Sequence, residues 1–419
     1  MTDTQLVTNR NVIFLVLIAS LGYFVDIYDL LIFSIVRIKS LQDIGVPLAQ
    51  TKAEGQYILN MQMLGLLLGG IVWGIIGDKF GRIRVLFGSI LLYSIANFAN
   101  GLVHDVNSYA IIRLIAGLGL AGELGSGITL VSETMSKEKR GYGTMMVAVI
   151  GLFGAVAANE VSKLDWRTAY FVGGGLGLLL LLLRIGTFES GMYKNTAHAN
   201  VSRGNILMLF NDFKRFRKYL YCILIGAPLW YVVGVLVTLS PEFGKALHAK
   251  DVLSAGNGVM YTYIGISIGD IFAGLLAQVT RSRKLTMCIF LILSLISASV
   301  YLSSEGLTAQ NFKWICFFMG LTVGYWATFV TIASEQFGTN IRATVTTTVP
   351  NFVRGALIPI NGAFNLLLVS FGMIKSGYIM MFALTLIALL SLSRLKETFD
   401  KDLDYLEDDA SQDKVPGLS

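Results

Sequence analysis

The chain has 419 residues, 54% of them hydrophobic and only 14% charged, with a formal net charge of +6. A soluble domain carries about 25% charged residues, so this composition excludes a soluble enzyme and describes a chain made almost wholly of membrane spans. Cys222, Cys288 and Cys316 lie in apolar runs and all three histidines in loops, a pattern that suits neither a disulfide framework nor a metal cluster.

Taken in order, Met1 to Arg10 is polar, and the apolar run after it is too long for a cleavable signal. A bilayer core takes about 20 residues of helix. On that ruler the sequence predicts twelve spans, at about 12–36, 57–77, 85–103, 108–134, 143–162, 167–187, 219–240, 257–280, 285–303, 312–335, 343–370 and 376–393. The expected fold class is therefore an all-α membrane protein of twelve transmembrane helices in two six-helix bundles. Residues 1–187 form the first bundle and 219–393 the second, with a polar linker over 188–218 and an acidic tail over 394–419. Gly226 and Pro228 are expected to bend the seventh span, and Pro350 and Pro359 the eleventh.

Most of the 33 Lys and Arg fall on the side of the two termini, Arg184 to Lys218 included. The positive-inside rule then places both termini in the cytoplasm. Basic cytoplasmic loops account for the net charge, so no nucleic acid partner is expected.

An ionisable residue inside a span is costly and is a functional candidate by default. The set is Asp26 and Asp29 in the first span, Arg113 and Glu123 in the fourth, Asp270 in the eighth and Arg354 in the eleventh. Asp26 and Asp29, three apart, share a helix face. At 1.5 Å of rise per residue, Asp29 lies about 12 Å below the outer surface and Arg113 about 8 Å, so a pair is feasible. With no histidine in the membrane, these carboxylates are the proton relay, and Glu123 is either a member of it or a neutral acid bonded to backbone. Asp270 and Arg354 fall near the midplane, where Arg354 can hold a solute carboxylate. Trp230, Tyr231, Tyr325 and Trp326 are candidate walls of that site.

The halves repeat weakly. Glu133 precedes Arg140 as Glu335 precedes Arg342, and Gly74 to Arg84 aligns with Gly274 to Lys284. Each Glu–Arg pair could lock a helix end.

One stretch organises the chain: Gly70-Ile-Val-Trp73-Gly74-Ile-Ile-Gly77-Asp78-Lys79-Phe80-Gly81-Arg82-Ile-Arg84. Its glycines at 70, 74 and 77 suit close approach of another backbone. The spacing Gly-x-x-x-Asp-Lys-Phe-Gly-Arg resembles the loop between helices 2 and 3 of the major facilitator superfamily. Gly22-Tyr-Phe-Val-Asp26-Ile-Tyr-Asp29-Leu30, and Arg113 to Glu123 followed by Glu133 and Arg140-Gly141, are similar to that superfamily's metabolite and aromatic-acid proton symporters. The resemblance implies that Asp29 and Arg113 govern proton coupling. It also makes Gly74, Asp78, Gly81, Arg82, Glu133, Arg140, Glu335 and Arg342 gating residues. The stretch from Gly151 lacks the proline of the antiporters' fifth helix, which argues against drug export.

The sequence thus describes a bacterial inner-membrane secondary transporter, with proton-coupled uptake of a small anionic or zwitterionic solute by alternating access. Its expected partners are that solute, protons and the lipid bilayer; it is expected to be a monomer without a cofactor. The alternatives are an exporter of a metabolite or siderophore on the same fold, and a nutrient sensor that does not translocate.

Overall fold

A computed structural model describes residues 9–80, 82–123, 146–147, 150–188, 206–399 and 407. All of the regular structure among them is helical. The first half holds α1 (Asn9–Asp43), α2 (Thr51–Phe80), α3 (Arg82–Asn100), α4 (Val106–Leu120), α5 (Gly154–Val161) and α6 (Trp166–Phe188). The second opens with α7 (Phe213–Leu224), α8 (Ala227–Tyr231), a π-helical segment Val232–Val237, and α9 (Ser240–Ala246). It continues with α10 (Ala255–Thr280), α11 (Arg283–Ser303), α12 (Ala309–Val323), α13 (Trp326–Glu335), α14 (Thr339–Gly355) and α15 (Leu357–Arg394).

Eight helical runs are long and apolar enough to cross a membrane, among the described residues. The last, Thr344–Arg394, turns back at Gly372, whose φ of 72° suits only glycine, and holds two crossings. α3 and the shorter apolar runs Val106–Leu120 and Ile150–Val161 supply the others, giving twelve.

Local sequence starts these helices. Asp105, Asp212, Ser254, Ser282 and Thr308 each accept a hydrogen bond from a first-turn amide of α4, α7, α10, α11 and α12. The seventh span is cut at Ile225–Gly226, before Pro228, as expected. The eleventh is cut at Ala356, before Pro359; that proline lacks the N–H that Gly355 would need, while Pro350 sits inside an unbroken α14. A further break at Gly324–Tyr325 in the tenth span carries no proline and was not expected.

Tight glycine contacts hold each half and repeat between them. A Cβ on Gly65 would strike the Leu114 carbonyl, and one on Gly69 the Leu118 carbonyl, so α2 and α4 touch backbone to backbone. Gly265 against Phe317 and Gly269 against Leu321 do the same for α10 and α12. Gly74, expected to permit such an approach, faces open space. The halves meet where α2 packs on α14 and α15, and where α1 and α5 pack on α10. One end of the bundle carries Arg37 and Glu242, the other Glu335.

Candidate functional site

Three interrupted spans build the central site. The cut before α8 turns Trp230 inward, and the cut before α13 places Trp326 at that helix's first position. Asp270 of α10 accepts a hydrogen bond from the Ala327 amide at 3.0 Å, so this midplane acid caps the start of α13. Arg354, 1% exposed near the end of α14, lies beside the tryptophan pair, its guanidinium carbon 5.7 Å from each ring centroid. The two rings stand 6.4 Å apart at 70°.

Across the interface between halves, Asp26 of α1 approaches Arg354 at 4.0 Å, a loose ion pair. Asn351 accepts from Arg354 at 3.4 Å and donates to the Ala121 carbonyl at 3.0 Å, tying the guanidinium to both halves. Both Asp26 oxygens, Arg354 Nε and both indole N–H groups lack a protein partner although buried. An unmet buried polar group costs about 1–3 kcal/mol, more when charged. Unmet donors on Arg354 and on both indoles, beside one aromatic pair, can take up a planar anion.

Asp29 and Arg113 meet, but not as the expected ion pair. Arg113 Nη2 donates to the main-chain carbonyl of Asp29 at 2.9 Å, and both carboxylate oxygens of Asp29 stay without a partner. The reason is the direction of the side chain. The Asp29 carboxylate points toward α6 and fills the space left by Gly173, while Arg113 stacks over Tyr170 at 5.6 Å. Glu123 corrects a second expectation. It is not a neutral acid bonded to backbone, but forms a buried 2.7 Å ion pair with Arg184. Arg184, counted by sequence only among the cytoplasmic-side bases, lies inside α6 and is 2% exposed. Gly22 leaves room for the pair, since a Cβ there would meet both partners.

The proposed walls divide. Trp230 and Trp326 face Arg354. Tyr231 donates to the Gly377 carbonyl at 2.9 Å, and Tyr325 packs edge-on against Phe290. Of the gate residues, Glu335 pairs with Arg283 and Arg342 donates to the Phe337 carbonyl at 3.2 Å. The side chains of Asp78 and Arg82, and all of Gly81, Glu133 and Arg140, lie outside the described residues.

Sequence reasoning missed a polar closure at the Arg37 end. Arg37 of α1 pairs with Glu242 of α9 at 2.7 Å. Asn361 donates to Asn60 at 2.8 Å, and Asn365 to Gln56 at 3.0 Å, each joining α15 to α2. The available signal was four amides inside apolar spans. No group of histidines, cysteines and acids among the described residues could hold a metal ion.

Residues 12–360 match the sequence profile of the Major Facilitator Superfamily. The chain is 33% identical over 139 residues to the 3-(3-hydroxyphenyl)propionate transporter of Escherichia coli, covering 32% of this chain and 34% of that one. It is 24% identical over 373 residues to the niacin transporter NiaP of Acinetobacter baylyi, covering 78% and 80%. Among solved structures, the proton:xylose symporter XylE bound to 6-bromo-6-deoxy-D-glucose superposes with a TM-score of 0.65 at 17% identity, over 94% of this chain and 98% of that one.

Proposed function

We propose that this chain, which belongs to the major facilitator superfamily and is a multi-pass membrane transporter of small molecules, imports an anionic solute with protons. The observation that carries this reading is Arg354, a buried cation set against a pair of tryptophans where the halves meet, with only a loose counter-ion. A carboxylate would displace Asp26 and take the two-pronged guanidinium bond, with the ring pair alongside it. The relatives named for hydroxyphenylpropionate and niacin, both aromatic carboxylic acids, support an anion over a neutral sugar. In the inner membrane, with both termini in the cytoplasm, the Arg37 end faces outward.

Asp29 is the proton carrier. Its carboxylate is buried, without a partner, beside an arginine that already grips the adjacent carbonyl. Protonation changes the charge balance around Arg113 and so favours one arrangement of the halves; a proton can drive transport only through such a difference between states. Asp29→Asn mimics the protonated form permanently. In proteoliposomes with 3-(3-hydroxyphenyl)propionate or nicotinate as probes, the variant keeps counterflow and loses accumulation driven by an imposed pH gradient. Accumulation that survives in Asp29→Asn moves the proton to another carboxylate. Uptake against efflux in oriented vesicles separates importer from exporter.

A further inference from the structure

A second polar system runs through the first bundle, away from Arg354. α3 carries Ser94, Asn97 and Asn100 three residues apart, hence on one face. All three are 0% exposed. No amide atom of Asn97 or Asn100, nor the Ser94 hydroxyl, has a protein partner. This face lies on the glycine-rich side of α6, where a Cβ on Gly174 or Gly177 would run into Phe98 or Ser94. The Asp29 carboxylate enters from α1 at Gly173, with the Asn97 amide beside it but short of hydrogen-bond geometry.

The system continues both ways. Toward the Arg37 end, Tyr170 and Tyr109 share a 2.7 Å hydroxyl bond, and Tyr109 donates to Ser40 at 3.4 Å, one turn beyond Arg37. Toward the Glu335 end, the Tyr93 hydroxyl, buried and without a partner, stands in electrostatic reach of both Asp29 and the Glu123–Arg184 pair. Clustered buried groups of this kind are met by internal water when polar atoms converge and side-chain volume is withheld. Here the glycines bring α3 and the Asp29 carboxylate against α6, and the unmet atoms of Ser94, Asn97, Asn100 and Asp29 are the ones such water would serve.

We infer that this column binds a file of water and brings the coupling proton to and from Asp29, by a route separate from the solute's. The inference rests on the reading of Asp29 as the carrier. Each transfer breaks one O–H bond on the donor and forms one on the acceptor, with no other reactant. The charged and titratable groups facing Asp29 are Arg113 from α4, Tyr93 from α3, Tyr170 from α6, and Tyr28 and Asp26 from its own helix. The Arg113 charge repels a free hydronium at this level, so the proton crosses only when the carboxylate carries it. That turns a continuous polar column into a coupled path and not a leak.

The test is a pH-jump infrared measurement on the full chain in lipid nanodiscs, following the carboxyl band that vanishes in Asp29→Asn. Asn97→Leu keeps the volume and removes the amide. It slows proton release from Asp29 by about tenfold or more, the loss of the amide that holds a relay water by hydrogen bonding. Asn97→Ser keeps a hydroxyl and leaves room for water, and it restores the parent rate. A parent rate in Asn97→Leu, or equal slowing in Asn97→Ser, overturns the separate route and leaves Asp29 as carrier. An Asp29 band that never moves with pH in the parent protein overturns both.

Discussion

At the scale of single residues, the decisive feature is an arginine offered an incomplete partner. A separation of 4.0 Å between Arg354 and Asp26 is an attraction without a good hydrogen bond, so the guanidinium fork stays available. Arg354→Lys keeps the charge and loses the fork. It should weaken binding of 3-(3-hydroxyphenyl)propionate or nicotinate by about tenfold or more, since a hydrogen bond to a charged group contributes about 1.5–3 kcal/mol. Calorimetric titration in detergent reads this directly. Asp26→Asn removes the protein's own competitor for Arg354, so the same titration should show tighter binding. Weaker binding instead would mean that Asp26 aims the guanidinium. These residues were legible in the sequence because a charge in a span stands out and its depth follows from helical rise. Their bearing around the helix axis was not. Depth matched Asp29 to Arg113 correctly, yet only the fold shows that one points to α6 and the other to a carbonyl. The partner of Glu123 was missed because Arg184 sits near the end of its span, where a base is read as a topology signal and not as a buried charge.

At the scale of elements, breaks and close approaches matter more than the regular helices. A break leaves amides unmet in a region without bulk water, and something must satisfy them. At α13 that is Asp270 on the Ala327 amide, so this acid holds Trp326 in place from a neighbouring helix. Asp270→Ala should disturb both binding and fold, and Asp270→Asn, which can still accept, should retain most of each. The glycine contacts repeat with the same logic in both halves: Gly65 and Gly69 for α2 on α4, Gly265 and Gly269 for α10 on α12. The sequence showed the 200-residue offset at the loops, where it is weakest, because unalike side chains surround the glycines that carry it. The α11 N-terminus adds a pH-sensitive tie. Burial would raise the Glu397 carboxyl, but the Ser282 hydroxyl and the amides of Phe399, Lys284 and Arg283 together draw it down to about 2. A depressed carboxyl contributes stability above its unfolded value of about 4.5, and that contribution fades as pH falls toward about 2. Glu397→Gln should therefore melt below the parent protein at pH 7. The gap should narrow on acidification through that window and not on going alkaline.

For the whole molecule, the arrangement is a closed Arg37 end. Arg37–Glu242, Asn60–Asn361 and Gln56–Asn365 all join one half to the other there. These contacts are polar, and they suit an interface that must part and re-form, since separated amides find water where separated apolar faces would stay exposed. The twelve-span helical fold and the breaks before Pro228 and Pro359 followed from counting spans and prolines. The closure did not, because a neutral amide in a span carries no sign to mark its partner. In the proposed orientation this is the outer face, and transport requires it to open with each cycle. A cysteine at Gln50 should react with an impermeant thiol reagent in whole cells, which fixes that orientation. With the face established, Asn60→Cys combined with Asn361→Cys can be joined by a short bifunctional thiol reagent across the 2.8 Å contact. The link should abolish uptake and counterflow together, because both need an outward-open state, and a cleavable reagent should restore both. Binding measured on detergent-solubilised protein should survive, since the link touches neither Arg354 nor its partners. Cross-linked protein that still exchanges solute would show that these contacts are static packing and that the halves move about some other seam.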